Sequence, residues 1–257
     1  MGWFEIVLLI ISGMLVGFIN TLAGGGTVIS LSVLMLLGLP ANIANGTNRI
    51  AVIIQTITSV TFFRQSHVLD TKNGLRLGIP VIIGAVIGAE IATKIPVHTF
   101  ENVIGVMILI MAGFVVYKPK QWLKGNLRLQ QKKTTLWQYG LFFLMGIYGG
   151  FLHVGIGYFL LASLVLGAGY DLVKANAVKV LIVLMYAPFT LLVFIFNDAV
   201  NYRYGLMLGV GGIIGALIAS RLSVTKGAGF VRWVMLIVIL LFSSHLLGVV
   251  DYGNLIK

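Results

Sequence analysis

The stretch Asn20-Thr21-Leu22-Ala23-Gly24-Gly25-Gly26-Thr27 sets a polar, glycine-rich run between two apolar segments. A second run of this kind, His153-Val154-Gly155-Ile156-Gly157-Tyr158, lies in the other half of the chain. Glycine lets a backbone bend sharply and brings its N–H groups within reach of a ligand. In a bilayer, such a break survives only where it is buried in protein or lines a wet cavity. A helix starting after the break offers free N–H groups and a positive dipole end. The two breaks are therefore expected to meet near mid-membrane and hold a small anion.

Composition puts these breaks in a bilayer. Of the 257 residues, 59% are hydrophobic and 10% charged, with a mean hydropathy of +1.03. A soluble domain carries about 25% charged residues. The absence of cysteine excludes disulfides and thiolate metal sites. The net charge of +11 falls mostly in short loops, as the positive-inside rule expects. No soluble basic domain is left to bind nucleic acid. Met1-Gly2-Trp3-Phe4-Glu5 lacks the basic start of a cleavable signal, so the first segment is expected to remain as a membrane helix.

Hydropathy gives ten apolar segments, near 3–23, 27–39, 49–63, 75–95, 100–117, 137–154, 158–170, 177–196, 204–221 and 230–249. A helical crossing needs roughly 20 residues, and the second, third and seventh fall short. Short or glycine-broken segments at matching places in two halves point to a transporter's binding site. The halves match at an offset of 131: Gly24 and Gly26 with Gly155 and Gly157, Gly38 with Gly169, Ala44-Asn45 with Ala175-Asn176, and Gly74, Gly78 and Gly84 with Gly205, Gly209 and Gly215. The register runs without a gap from Gly24 to Glu90.

An odd number of segments per copy turns the second copy over. The expected fold is an all-α polytopic membrane protein: two inverted five-segment repeats, 1–117 and 137–257, with glycine-broken helices at the centre and a basic cytoplasmic linker, 118–136, between them. With that linker inside, fourteen of the 18 Lys and Arg residues fall on the inner side, leaving Arg49, Lys94, Arg203 and Lys257 outside. Both termini are then external. If the short segments after the breaks re-enter instead of crossing, the copies become parallel and the bias weakens. The linker's six basic residues determine topology or touch anionic lipid head groups.

The run Gly17-Phe18-Ile19-Asn20-Thr21-Leu22-Ala23-Gly24-Gly25-Gly26-Thr27, then Gly38-Leu39-Pro40 and Ala44-Asn45-Gly46-Thr47-Asn48-Arg49, resembles the sulfite exporter TauE/SafE family of membrane permeases. Gly149-Gly150 through Gly157 matches that family's repeated motif, so the resemblance spans nearly the whole chain. It implies a bacterial or archaeal inner-membrane carrier that moves sulfite, sulfonates such as sulfoacetate, thiosulfate or related small anions. The second copy departs from the motif: Val178-Lys179-Val180 stands opposite Thr47-Asn48-Arg49.

An anion in a low-dielectric site needs hydrogen-bond donors and positive charge. Backbone candidates are the amides around Gly25, Gly26 and Thr27, and those at Gly155, Gly157 and Tyr158. Side-chain candidates are Asn20, Thr21, Thr27, Asn45, Thr47, Asn48 and Asn176; Thr47 and Asn48 also read as N-caps of the third segment. Arg49 and Lys179, one position apart in the repeat register, are the cationic candidates, with interfacial snorkelling as the alternative. His153 is a candidate donor or proton relay, or a histidine satisfied by a neighbouring helix. Gln55, Thr56 and Tyr186 are further candidates to line the path. Glu90 is a candidate for proton coupling, but Lys94 at i+4 reads as its ion-pair partner. The remaining helically spaced glycines read as close helix packing.

The expected partners are a small anionic substrate, membrane lipids and a coupled proton or ion, with no cofactor and no metal. Nothing in the sequence sets the oligomeric state. The absence of a P-loop argues against direct ATP use. The alternatives are an intramembrane enzyme, for which no nucleophile–base pair or metal motif is visible, and a lipid-interacting scaffold.

Overall fold

The computed structural model describes residues 2–95 and 135–246. The expected segment 100–117 and residues 118–134 of the linker lie outside them. The helices are α1 (Trp3–Leu22), α2 (Thr27–Leu36), α3 (Ala41–Gln65), α4 (Thr71–Lys94), α5 (Leu136–Phe151), α6 (Ile156–Ala162, continued by a π-helix Ser163–Gly167), α7 (Leu172–Phe196) and α8 (Tyr202–Leu246). Four of them, α1, α4, α7 and α8, are long and apolar enough to cross a membrane.

One sequence expectation is corrected. The third segment is not short: α3 runs 25 residues from Ala41 behind Pro40, so Thr47 and Asn48 lie inside a helix and cap nothing there. The ninth and tenth segments are two helices within α8, parted by a kink at Gly227, whose φ of +72° is not helical. The two short pieces are α2, of 10 residues, and α6, of 7.

Matching positions of the two halves share local geometry. α3 and α7 are both 25 residues long and begin at Ala41 and Leu172, the 131-residue offset. Positive φ recurs at that offset in Gly24 and Gly155, Gly38 and Gly169, and His67 and Asp198. Both long loops start the next helix alike: Asp70 Oδ1 accepts from Asn73 N, and Asn201 Oδ1 accepts from Tyr204 N. These caps hold backbone donors that would otherwise be orphaned at the helix start.

Packing runs across the halves. α4 packs on α5 and α7, α8 packs on α1 and α3, and α3 and α7 meet at the centre. The reason is residue size. The buried face of α4 is mostly small, Gly74, Gly78, Gly84, Ala85, Gly88, Ala89 and Ala92 with Leu77 and Val81 among them, while Ile79, Ile83, Ile87 and Ile91 face outward. Lipid tails solvate bulky aliphatic side chains as well as protein does, so helices associate through small residues that allow backbones to approach. A Cβ on Gly88 would lie 1.9 Å from the Ile147 carbonyl oxygen, and one on Gly215 1.9 Å from that of Met14. Glu90 and Lys94 form an exposed pair at 2.8 Å, the ordinary reading of those residues.

At one end of the bundle, Tyr170 Oη donates to Asp70 Oδ2 at 2.7 Å, tying the turn before α7 to the start of α4. Partial burial works to raise the Asp70 pKa. The hydrogen bonds from Tyr170 and Asn73, with Lys174 nearby, outweigh it and hold the carboxyl below its ordinary value.

Gly88→Ala is expected to cost about 1–3 kcal/mol through overpacking. Gly140→Ala, with nothing within 4 Å of the added carbon, should stay within about 0.5 kcal/mol of wild type. Thermal unfolding in detergent checks both. The depressed Asp70 pKa stabilises the fold above the unfolded carboxyl's pKa, and that contribution is lost as pH falls through the folded value. Tyr170→Phe should therefore melt lower than wild type at neutral pH and converge on it in acid, as read from melting temperature against pH.

Candidate functional site

The two breaks meet. α1 ends at Leu22, and Gly24, at φ +98°, turns the chain into α2. α5 ends at Phe151, and His153 and Gly155, at φ +61° and +66°, turn it into α6. A Cβ on Gly24 would lie 2.3 Å from Gly157 Cα, so the backbones cross with no room for a side chain.

Each break leaves a helix end whose last carbonyls have no intrahelical partner. A buried cation from the other half reaches each one. Lys179 Nζ on α7 donates to the carbonyls of Asn20 and Thr21, both at 2.9 Å, at the end of α1. Arg49 on α3 donates to Gly149 O at 2.7 Å and Gly150 O at 2.8 Å, at the end of α5. Asn45 adds Nδ2 to Phe151 O at 2.8 Å and accepts from Arg49. The guanidinium also lies over the Phe194 ring, 5.5 Å from its centroid. A cation is favoured at a helix C-terminus by the dipole and by the free carbonyls. Arg49 and Lys179 are 0% and 1% exposed, so interfacial snorkelling is excluded for both. Neither belongs in the loop-charge count, which for the expected topology then stands at thirteen inner against three outer. Among the described residues, neither cation has an acidic partner within 4.0 Å.

Beside the crossing lies a small polar hollow. Asn20, Thr21 and Gly24 contribute from the first break, and His153, Ile156 and Gly157 from the second. Gln55 and Thr56 come from α3, and Lys179, Val180 and Val183 from α7. It offers about 20 Å³ to water centres. That is room for roughly one ordered water. Lys179 therefore belongs to both a helix cap and the hollow.

The expected site residues separate into groups. Asn20, Thr21, His153, Gly157 and Lys179 line the hollow. The others do not line it. Arg49 and Asn45 are held on the end of α5. Thr47 Oγ1 accepts from Asn201 N at 2.9 Å, and Asn48 Oδ1 accepts from Ser30 Oγ at 2.7 Å. Gly25 lies against the Tyr158 ring, and Gly26 against the Val16 backbone. Thr27 Oγ1 accepts from Asn20 Nδ2 at 3.4 Å. Gly155 forms the turn. Asn176 is fully buried with neither amide atom hydrogen-bonded. Gln55 and Thr56 line the hollow, while Tyr186 stands behind it, its Oη 2.7 Å from His153 Nδ1. Sequence reasoning missed Ser59, whose Oγ bonds Thr21 Oγ1 at 2.9 Å. It also missed the carbonyls that the cations grip, for which the sequence carries no signal.

The fold and site define a multi-pass helical membrane protein whose broken helices meet at a buried, cation-bearing polar centre. Residues 9–246 match the family described as sulfite exporter TauE/SafE, and the chain belongs to it. It is similar to the probable membrane transporter protein ORF9 of Sinorhizobium sp, 27% identical over 93% of this chain and 91% of that one. A probable membrane transporter protein of Haemophilus influenzae is 26% identical, over 94% and 93% of the two chains. The probable membrane transporter protein YfcA of Escherichia coli K12 is 28% identical, over 91% and 86%. No solved structure matches. The chain is thus a membrane transporter.

Arg49→Lys keeps the charge but not the planar fork that serves two carbonyls and Asn45. Leaving one of those buried acceptors unmade should cost about 1–3 kcal/mol. A lowered melting temperature of the purified protein would register it.

Proposed function

We propose that the chain is a secondary transporter, working as an exporter, of a small organosulfur or inorganic sulfur anion such as sulfite, sulfoacetate or another sulfonate. Its location is the inner membrane of a bacterial or archaeal cell; the relatives that resemble it are bacterial. The observation that carries this reading is Lys179. It is a fully buried ammonium, bonded to two carbonyls, without an acidic partner among the described residues, and it borders a polar hollow. A charge in a low-dielectric setting calls for an opposite one. An anionic substrate supplies it. Export is the direction named in the family's description. A lipid-binding role fits less well, because Asn20, Thr21, Gln55, Thr56 and Lys179 bring polar groups into the hollow.

Transport proceeds by alternating access of two inverted repeats, 1–117 and 137–257, joined by the linker 118–136. The offset of 131 between α3 and α7, the paired positive φ values and the exchange of α4 and α8 across the halves support that division. A hollow with room for roughly one water is closed to a sulfonate, so this conformation is the occluded one and loading requires the breaks to move. The proton or ion that drives the cycle passes through the same centre, where His153 and Tyr186 form a buried pair.

Proteoliposomes loaded with sulfite test the reading. Lys179→Gln should slow anion efflux about tenfold or more, the worth of a hydrogen bond to a charged group. Lys94→Gln, in the exposed pair with Glu90, should leave it unchanged. Efflux from Lys179→Gln at the wild-type rate would remove Lys179 from the pathway.

A further inference from the structure

We infer that Asn176 is a positioning residue for Lys179: when the ammonium turns to a bound anion, the Asn176 amide takes over the Asn20 carbonyl that Lys179 holds at rest. The inference rests on the reading of Lys179 as the counter-charge of the substrate.

Asn176 is fully buried on α7, and neither Nδ2 nor Oδ1 has a hydrogen-bond partner. An amide buried in this way costs free energy that an apolar side chain would not. The other half shows where such an amide goes. At the 131-residue offset, Asn176 answers to Asn45 and Asn20 to Phe151. Asn45 Nδ2 donates to Phe151 O at 2.8 Å, and Asn45 Oδ1 accepts from Arg49. The equivalent acceptor at the end of α1, Asn20 O, is taken instead by Lys179 Nζ at 2.9 Å. Lys179 lies three residues along α7 from Asn176, so the two side chains share a face of that helix.

Two donors thus compete for one acceptor. The ammonium holds it at rest because a charged donor makes the stronger bond. An anion entering the opened centre offers that ammonium a charged acceptor. Leaving Asn20 O for the anion would strand a buried carbonyl unless another donor stands by. Asn176 Nδ2 is that donor. Lys179 keeps its bond to Thr21 O, so the ammonium pivots and stays on α1. The charge of Arg49 also favours an anion in this centre. Arg49 has no reserve, however, because Asn45 is already engaged on Phe151 O.

The same truncation at both asparagines tests the handover. Without anion, purified Asn176→Ala should melt well above Asn45→Ala, since only Asn45 makes bonds at rest. In proteoliposomes loaded with graded sulfite, Asn176→Ala should raise the half-saturating concentration for efflux roughly threefold to tenfold, the net worth of one hydrogen bond. The maximal rate should hold. Asn176→Val should behave alike and serves if the alanine variant does not fold. In a Lys179→Gln background, Asn176→Ala should bring no further rise. A wild-type half-saturating concentration in the Asn176 variants, a rise undiminished without Lys179, or a melting temperature as low as that of Asn45→Ala overturns the inference and leaves anion carriage at Lys179 standing. If Lys179→Gln itself exports sulfite as wild type does, both readings fall.

Discussion

A helix broken inside a bilayer leaves carbonyl groups that no water can reach, and the fold depends on how these are satisfied. Here a cation from the opposite half of the chain meets each broken end. Arg49 closes α5 and Lys179 closes α1. Each bond joins residues 100 or more positions apart, so the centre forms only once both halves are in place. The small-residue stripes of α4 and α8 supply the close approach that lets these side chains arrive.

The two closures are alike in position and unlike in chemistry. A guanidinium spreads a rigid fork over several acceptors and keeps its charge. Arg49 spreads it across two carbonyls, an asparagine and an aromatic face, with Nε left without a partner. An ammonium is a compact point with three donors. With two engaged, Lys179 retains one, and the polar hollow lies on its side of the crossing. Lys179, one position off from Arg49 in the repeat register, thus keeps a donor beside the hollow, while Arg49 does not line it.

Much of this was legible in the residues. The glycine runs marked both breaks, and the 131-residue offset returns in the starts of α3 and α7, although hydropathy made the third segment short. The spaced glycines announced helix packing correctly. The start of α3 was not legible, for a physical reason. Ala41–Asn48 reads as polar because hydropathy measures compatibility with lipid, whereas Asn45, Thr47 and Asn48 are buried in protein with hydrogen-bond partners. Arg49 and Lys179 stood out as cations, but their acceptors are backbone carbonyls, which every residue has. Gln55 was equally opaque: that its Oε1 is buried beside the hollow without a partner is visible only in three dimensions.

The contact between Gly24 and Gly157 has a mechanical consequence. The two main chains touch with no side chain between them. The first cannot swing away without stretching the lysine bridge from α7 to the end of α1. The crossing thus fixes how closely the two loops approach, and any side chain at Gly24 or Gly157 would push them apart.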